Sequence, residues 1–194
     1  PNLAAMSEKQ ITSVRNFVNR GGHLVATGET SLYNEWGEKR EEYGLADLLK
    51  VKVDKTLQPE KNTSLQKLGG DNYHTYLRLS PEMRGGVDGP ANGNEPPVSG
   101  KRHPVLSGFE ETDIIPYGGL LDPIKTEEGT EVLMTFIPQF PVYPPETAWM
   151  REPKTTIAGL VIHTRPNGSR VAFMPADIDR QYDEFNLPDH GDLL

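Results

Sequence analysis

The sequence predicts an α/β fold: a mostly parallel sheet flanked by helices, with an added antiparallel hairpin. Three observations carry that expectation. A helical pattern closed by Gly21-Gly22 runs directly into a short apolar strand, the order found in the second half of a βαβ unit. That strand ends in a small polar cluster, Gly28-Glu29-Thr30-Ser31, and ligands of open α/β sheets sit outside the carboxyl ends of strands. Two apolar runs flank Pro166-Asn167-Gly168, a strong hairpin turn.

In chain order, Ser7 and Gln10 fit a capping box that opens a helix. Ile11, Val14, Phe17 and Val18 then give it one apolar face, and Gly21-Gly22 supply the stop. Leu24–Thr27 reads as a strand, and Leu32 to Trp36 as a helical turn. Leu45, Leu48 and Leu49 suggest a short helix, Val51 and Val53 a short strand, and Tyr76-Leu77-Arg78-Leu79 another strand. Residues 81–102, rich in Gly and Pro, are expected to form a flexible loop. Ile114 to Ile124 holds one strand or two, bent at Gly118-Gly119, and Val132 to Phe136 a further one. Ala158 to Thr164 and Arg170 to Met174 form the hairpin. Leu187-Pro188-Asp189-His190 reads as the start of a helix.

The 194 residues, 35% of them hydrophobic, are enough for one domain spanning 1–194. The first strand of the βαβ unit would lie before Pro1 and the last helix would run past Leu194, so a fragment of a longer protein is expected. A formal charge of −8 with scattered Lys and Arg argues against nucleic acid and against anionic membrane surfaces. No apolar run approaches the ~20 residues of a membrane-spanning helix. No signal-peptide pattern opens the chain, which favours the cytoplasm as its expected location. Cysteine is absent, which excludes thiolate metal sites and a cysteine nucleophile. No cofactor and no metal are expected.

Four stretches in order, "PNLAAMS…FVNRGGHLVATGETSLYNEWG", "HPVLSGF", "YPPETAWMRE" and "VAFMPADIDRQY…NLPDHGDLL", carry a resemblance. Together they resemble the class I glutamine-amidotransferase-like domain of predicted bacterial glycoside hydrolases, and are similar to the trimerisation domain of family 42 β-galactosidases. The resemblance implies a flavodoxin-like three-layer sandwich, a homo-oligomer, and a catalytic barrel elsewhere in the parent protein that carries the glycosidase carboxylates. Glutaminase activity needs a cysteine nucleophile, which this chain lacks.

Three groups of residues invite a function. In the Gly28–Ser31 loop, Glu29, Thr30 and Ser31 could hydrogen-bond a hydroxyl-rich ligand, or Thr30 or Ser31 could cap a following helix. In "ETAWMRE", Trp149 could stack on a sugar with Glu146 and Arg151 as polar clamps, or the cluster could form a subunit or domain interface. Asp177 and Asp179 would lie on one side of a continuing strand and could serve as acid and base. Capping and ion pairing are the alternatives for that pair, for nearby Arg180 and Asp183, and for Asp189 and His190, which could instead form an orienting pair. Glu146, Asp177 and Asp179 are therefore the catalytic candidates, and Glu29, Thr30, Trp149, Arg151 and His190 the ligand or interface candidates. His23, His74, His103 and His163 make no metal spacing and receive no chemistry. Two functions follow. One is a noncatalytic accessory and oligomerisation domain of a glycoside hydrolase, contributing to a carbohydrate site of a neighbouring barrel. The other is a small carbohydrate-active hydrolase using its own carboxylates.

Overall fold

A computed structural model of the chain describes residues 2–57, 60–61, 73–83, 102–109, 112–141 and 154–194. Helix α1 (Glu8–Asn19) opens on the predicted capping box, with the Ser7 side chain accepting from Gln10 N–H and the Gln10 side chain accepting from Ser7 N–H. It leads into β1 (Leu24–Thr27). Helix α2 (Ala46–Leu49) and strand β2 (Val51–Val53) follow, then β3 (Glu60–Lys61) and β4 (Tyr73–Leu79). Strands β5 (Ile114–Pro116), β6 (Leu120–Leu121) and β7 (Ile124–Thr126) divide the stretch around Gly118-Gly119. The chain continues through β8 (Glu131–Pro141), β9 (Ala158–Thr164), β10 (Arg170–Met174), α3 (Ile178–Phe185) and α4 (Pro188–Leu193).

Six strands form one curled sheet in the order β1-β10-β9-β8-β4-β5, and β2-β7 and β3-β6 pair as separate two-stranded ribbons. The expected mostly parallel sheet is corrected. In the large sheet only β1 and β10 pair in parallel, with Leu24 opposite Val171 and Thr27 opposite Met174; the other four pairings are antiparallel. Parallel neighbours need a long crossover, usually a helix. Only β1 and β10, separated in the chain by residues 28–169, meet that requirement. Strand β9 instead returns directly into β10 through the predicted turn, closed by Gly168 N–H donating to Arg165 O at 2.9 Å.

Both faces of this sheet are covered. Along β10, Val171 and Phe173 join one apolar cluster with Ile11, Val18, Leu48 and Leu49 from α1 and α2. Ala172 and Met174 alternate into a second cluster with Ile178 and Leu193 from α3 and α4. Each fully buried large side chain contributes about 1.5–3 kcal/mol. The ion pair of Arg15 with Asp47 (2.9 Å), and the bond from the same guanidinium to Gly44 O (2.7 Å), tie α1 to α2. Among the described residues no helix is long and apolar enough to cross a membrane.

Two local expectations fail. Residues 32–36 are not a helical turn, because their backbone pairs with the N-terminal segment: Tyr33 N–H donates to Ala4 O and Met6 N–H to Tyr33 O. Asp177 and Asp179 do not continue a strand. Pro175 follows the last β10 residue without an N–H to offer a ladder, Asp177 becomes the residue before α3, and Asp179 falls in its first turn. The Gly/Pro-rich segment begins with a 3-10 turn at Pro81–Met83, and residues 84–101 lie outside the described residues.

His163, on β9, is buried, and neither ring nitrogen has a hydrogen-bond partner. Burial, then the positive charges of Arg165 and Lys50, hold its pKa below the ordinary value. The folded protein therefore keeps this ring neutral while the unfolded chain takes up a proton near pH 6.5. Its contribution to stability is present above that pH and is lost as the pH falls. His163→Leu is expected to flatten the decline in urea midpoint between pH 7.5 and pH 5, with little change at pH 7.5.

Candidate functional site

The parallel pair β1/β10 delivers two polar segments to the same end of the sheet, Gly28–Ser31 after β1 and Pro175–Asp179 after β10. Gly28 N–H donates to Met174 O (2.8 Å) and Ala176 O (3.1 Å), which locks the two segments together. Gly28 has φ +57°, and the Asn2 side chain occupies the space a Cβ would need, with Asn2 Cγ 2.7 Å from it. Glycine is required there on both counts. Asn2 then bridges the two segments: its Oδ1 accepts from Glu29 N–H (3.0 Å) and its own N–H donates to Asp179 Oδ2 (2.8 Å).

Thr30 caps no helix. Its hydroxyl donates back to Thr27 O at 2.6 Å and accepts from Leu3 N–H at 3.3 Å. Ser31 is fully buried with φ +69°, a left-handed conformation costly for any residue with a Cβ. What holds it is a set of bonds: Oγ accepts from Leu45 N–H (3.1 Å), just before α2, and its backbone bonds to Leu3 O and Gly44 N–H. A test follows. Ser31→Ala keeps the strain and orphans the Leu45 amide, whereas Ser31→Gly orphans the amide but relieves the strain. The glycine variant is expected to be the more stable of the two by about 1 kcal/mol, read from urea denaturation.

Beside the loop stand two tyrosines and two carboxylates. Tyr33 Oη donates to Glu29 Oε1 at 3.0 Å, and its pKa is raised by burial, by this bond and by the charges of Glu29 and Asp122. Tyr43 lies buried with its ring edge-on to Phe173, centroids 5.3 Å apart. Burial, then the charges of Asp122 and Glu29, push its phenol far above the ordinary range. Both phenols are therefore held as protonated donors. The Tyr43 hydroxyl and the buried Thr27 hydroxyl have no hydrogen-bond partner. Asp122 is buried as well, its N–H donating to Pro175 O at 3.1 Å. The arrangement offers hydroxyl donors next to carboxylate acceptors, a pairing that suits another hydroxyl group.

Asp177 is placed differently. It is buried, with Oδ1 accepting from Tyr117 Oη (2.6 Å) and from Leu120 N–H (3.0 Å). Its Oδ2 accepts from Arg180 Nε at 2.7 Å, and Arg180 also bonds Glu184. Burial of the Tyr117 ring, then the negative charge of Asp177, push the phenol well up. Both Asp177 oxygens are thus engaged, and the carboxylate ties α3 to the β5–β6 corner. Asp179 is held through Oδ2 by Asn2, while its buried Oδ1 has no partner. The two aspartates thus serve separate networks. His190 is fully buried in α4, with Nε2 2.6 Å from Pro116 O, and docks that helix on β5. Glu146, Trp149 and Arg151 lie outside the described residues. Among the described residues no group of three or more His, Asp or Glu side chains is placed to hold a metal ion.

Of the residues gathered here, Glu29, Thr30, Asp177 and Asp179 were candidates from the sequence, and Asn2, Tyr33, Tyr43, Tyr117 and Asp122 were not. Asn2 and Tyr33 lie within the first of the quoted stretches, but nothing local singled them out. Tyr117, directly before Gly118-Gly119, carried the only positional signal.

No family model and no curated protein matches this chain. Solved structures do. A cold-adapted β-galactosidase from Rahnella sp. R3 superposes with a TM-score of 0.54 at 14% identity, over 97% of this chain and 22% of that one. A polyextremophilic β-galactosidase from the haloarchaeon Halorubrum lacusprofundi gives 0.54 at 13% identity, over 98% and 21%. A GH42 β-galactosidase from G. stearothermophilus gives 0.50 at 10% identity, over 96% and 21%. At such identities the likeness shows the fold alone. The chain spans about a fifth of the length of these proteins.

Proposed function

We propose that this chain is a noncatalytic accessory domain of a glycoside hydrolase, with a glutamine-amidotransferase-like, flavodoxin-related architecture, that packs beside a catalytic barrel and promotes assembly of a homo-oligomer. The observation that carries this reading is the likeness of nearly the whole chain to one-fifth of several β-galactosidases. The chemistry of the site supports it. Asp177 spends both oxygens on Tyr117, Leu120 and Arg180, so it offers no free base, and no cysteine is available as a nucleophile. Glu29, half-buried beside the Tyr33 hydroxyl at the β1 end, supports a secondary role as a contact for a sugar hydroxyl. Sedimentation velocity across a concentration series tests the assembly function. A stable dimer or trimer is expected, and a monomer at every concentration would remove oligomerisation from the proposal.

A further inference from the structure

Strand β8 breaks its alternation in the middle of the sheet. Leu133 and Met134 both join the apolar cluster on the α3/α4 side, although consecutive residues of a regular strand face opposite sides. The cause is a bulge: the register of β8 against β9 shifts between Val132 and Met134 and again between Met134 and Thr135. Val132 and Thr135, three positions apart, thereby reach the same side, and both line a pocket of about 610 Å³. Ile124 from β7 and Ala158 from β9, both buried, complete its apolar lining. The wall ahead of β9 is fixed in advance. Thr155 N–H donates to Thr135 Oγ1 (3.3 Å), Thr155 Oγ1 donates to Phe136 O (2.6 Å), and Phe136 N–H donates to Ile157 O (2.8 Å). The volume lies within the roughly 300–1,000 Å³ of small-molecule sites.

The polar lining runs against the charge of the chain. Lys125 and Lys154 are set against a single carboxylate, Asp54, in a chain of formal charge −8. Asp54 is already spent, since its Oδ1 accepts from Thr56 N–H (2.9 Å), from Thr56 Oγ1 (2.6 Å) and from Lys125 Nζ (3.2 Å). Lys154 pairs with Glu82 at 3.2 Å. The two lysine side chains are 57% and 42% exposed, and pairs this exposed are weak. An incoming carboxylate can therefore take over either ammonium group. Thr126 and Thr156 also line the pocket, and their hydroxyls bond to no described residue. The Thr135 hydroxyl accepts from Thr155 N–H and keeps its own proton to donate. Threonine hydroxyls both donate and accept, as the ring hydroxyls of a sugar do.

We propose that this pocket, between the β2–β7 ribbon and the bulge of β8, binds a sugar acid, a hexuronic acid or its glycoside. The carboxylate meets the lysines, the ring hydroxyls meet the threonines, and the C–H face of the ring lies on Ile124, Val132 and Ala158. This inference stands apart from the glycoside hydrolase reading and from the Glu29 contact, since it rests on this pocket alone.

The probes are the methyl glycosides of galacturonic and glucuronic acid, each with its neutral methyl ester as the control. Amide chemical shifts are followed on the isotope-labelled full chain as each probe is added. At least one uronide is expected to shift the Thr126, Thr155 and Thr156 amides together, with a Kd of about 1 mM or tighter. Its ester is expected to bind at least about tenfold more weakly, and high salt to weaken the acid but not the ester. Lys125→Met combined with Lys154→Met is expected to leave thermal unfolding unchanged, because both side chains are exposed, and to make acid and ester bind alike. Equal binding of acid and ester to the unaltered chain, or no binding of either, overturns the proposal. So does a preference for the acid that survives in the double variant. Shifts confined to the Gly28–Ser31 amides would place the sugar at the Glu29 contact instead, and would overturn this pocket while leaving that reading intact.

Discussion

Asp177→Ala is expected to lower the unfolding free energy by about 2–4 kcal/mol, because Tyr117 Oη and Leu120 N–H lose a buried acceptor while the half-exposed Arg180 returns to water. The substitution removes the acceptor for Tyr117 Oη, for Leu120 N–H and for Arg180 Nε at once. It also releases α3 from the corner between β5 and β6. Asp179→Ala removes a single bond to the Asn2 amide from a half-buried side chain and is expected to cost about 1 kcal/mol. Urea denaturation of the two variants side by side gives the comparison. Similar losses from both would mean that Asp177 does not hold this corner, and its carboxylate would again be available for chemistry.

Gly119→Ala is expected to cost about 3 kcal/mol through the same corner, by crowding instead of deletion. A Cβ at Gly119 would collide with Asp177 Oδ1 and come within 2.6 Å of Tyr117 Oη. Neither atom can retreat without giving up a bond, because both are fixed inside the buried network. Combining the two substitutions is the sharper measurement. With Asp177 already gone, the methyl group meets only the tyrosine, so the double variant is expected to fall short of the summed losses by more than about 1 kcal/mol. Strict additivity would place the two residues in independent environments.

What the sequence made legible was local. The capping box at Ser7 and Gln10, the apolar spacing of α1 and the turn at Pro166-Asn167-Gly168 each depend on residues a few positions apart. Strand order does not. Nothing near Val132 or Ala158 states that β8 and β9 will lie antiparallel in the middle of the sheet. The candidate site suffers most from this, because its bonds are long-range: Asn2 meets Asp179 across 177 positions, and Tyr117 meets Asp177 across 60. Residue type alone marked Asp177 as a carboxylate near a strand end, but whether its oxygens were free or spent depended on a tyrosine from another corner of the fold. The helical turn expected at 32–36 failed for a related reason, since its amides found partners in the N-terminal segment before any helix could use them.

The seam between β1 and β10 also sets a timetable. Arg170 N–H reaches back to His23 across 147 positions, so β1 leaves the ribosome long before β10, the strand it pairs with. At roughly 5–20 residues per second of synthesis, α1 and β1 wait on the order of ten seconds for β10 to emerge. During that interval the apolar Leu24–Ala26 stretch waits for β10, while β9 and β10, separated by one short turn, can zip together as soon as they appear. Pulse-labelled exchange during refolding should therefore show β9–β10 amides protected first and the Ala26 amide last, with that late step governing how long the nascent chain stays open to misassembly.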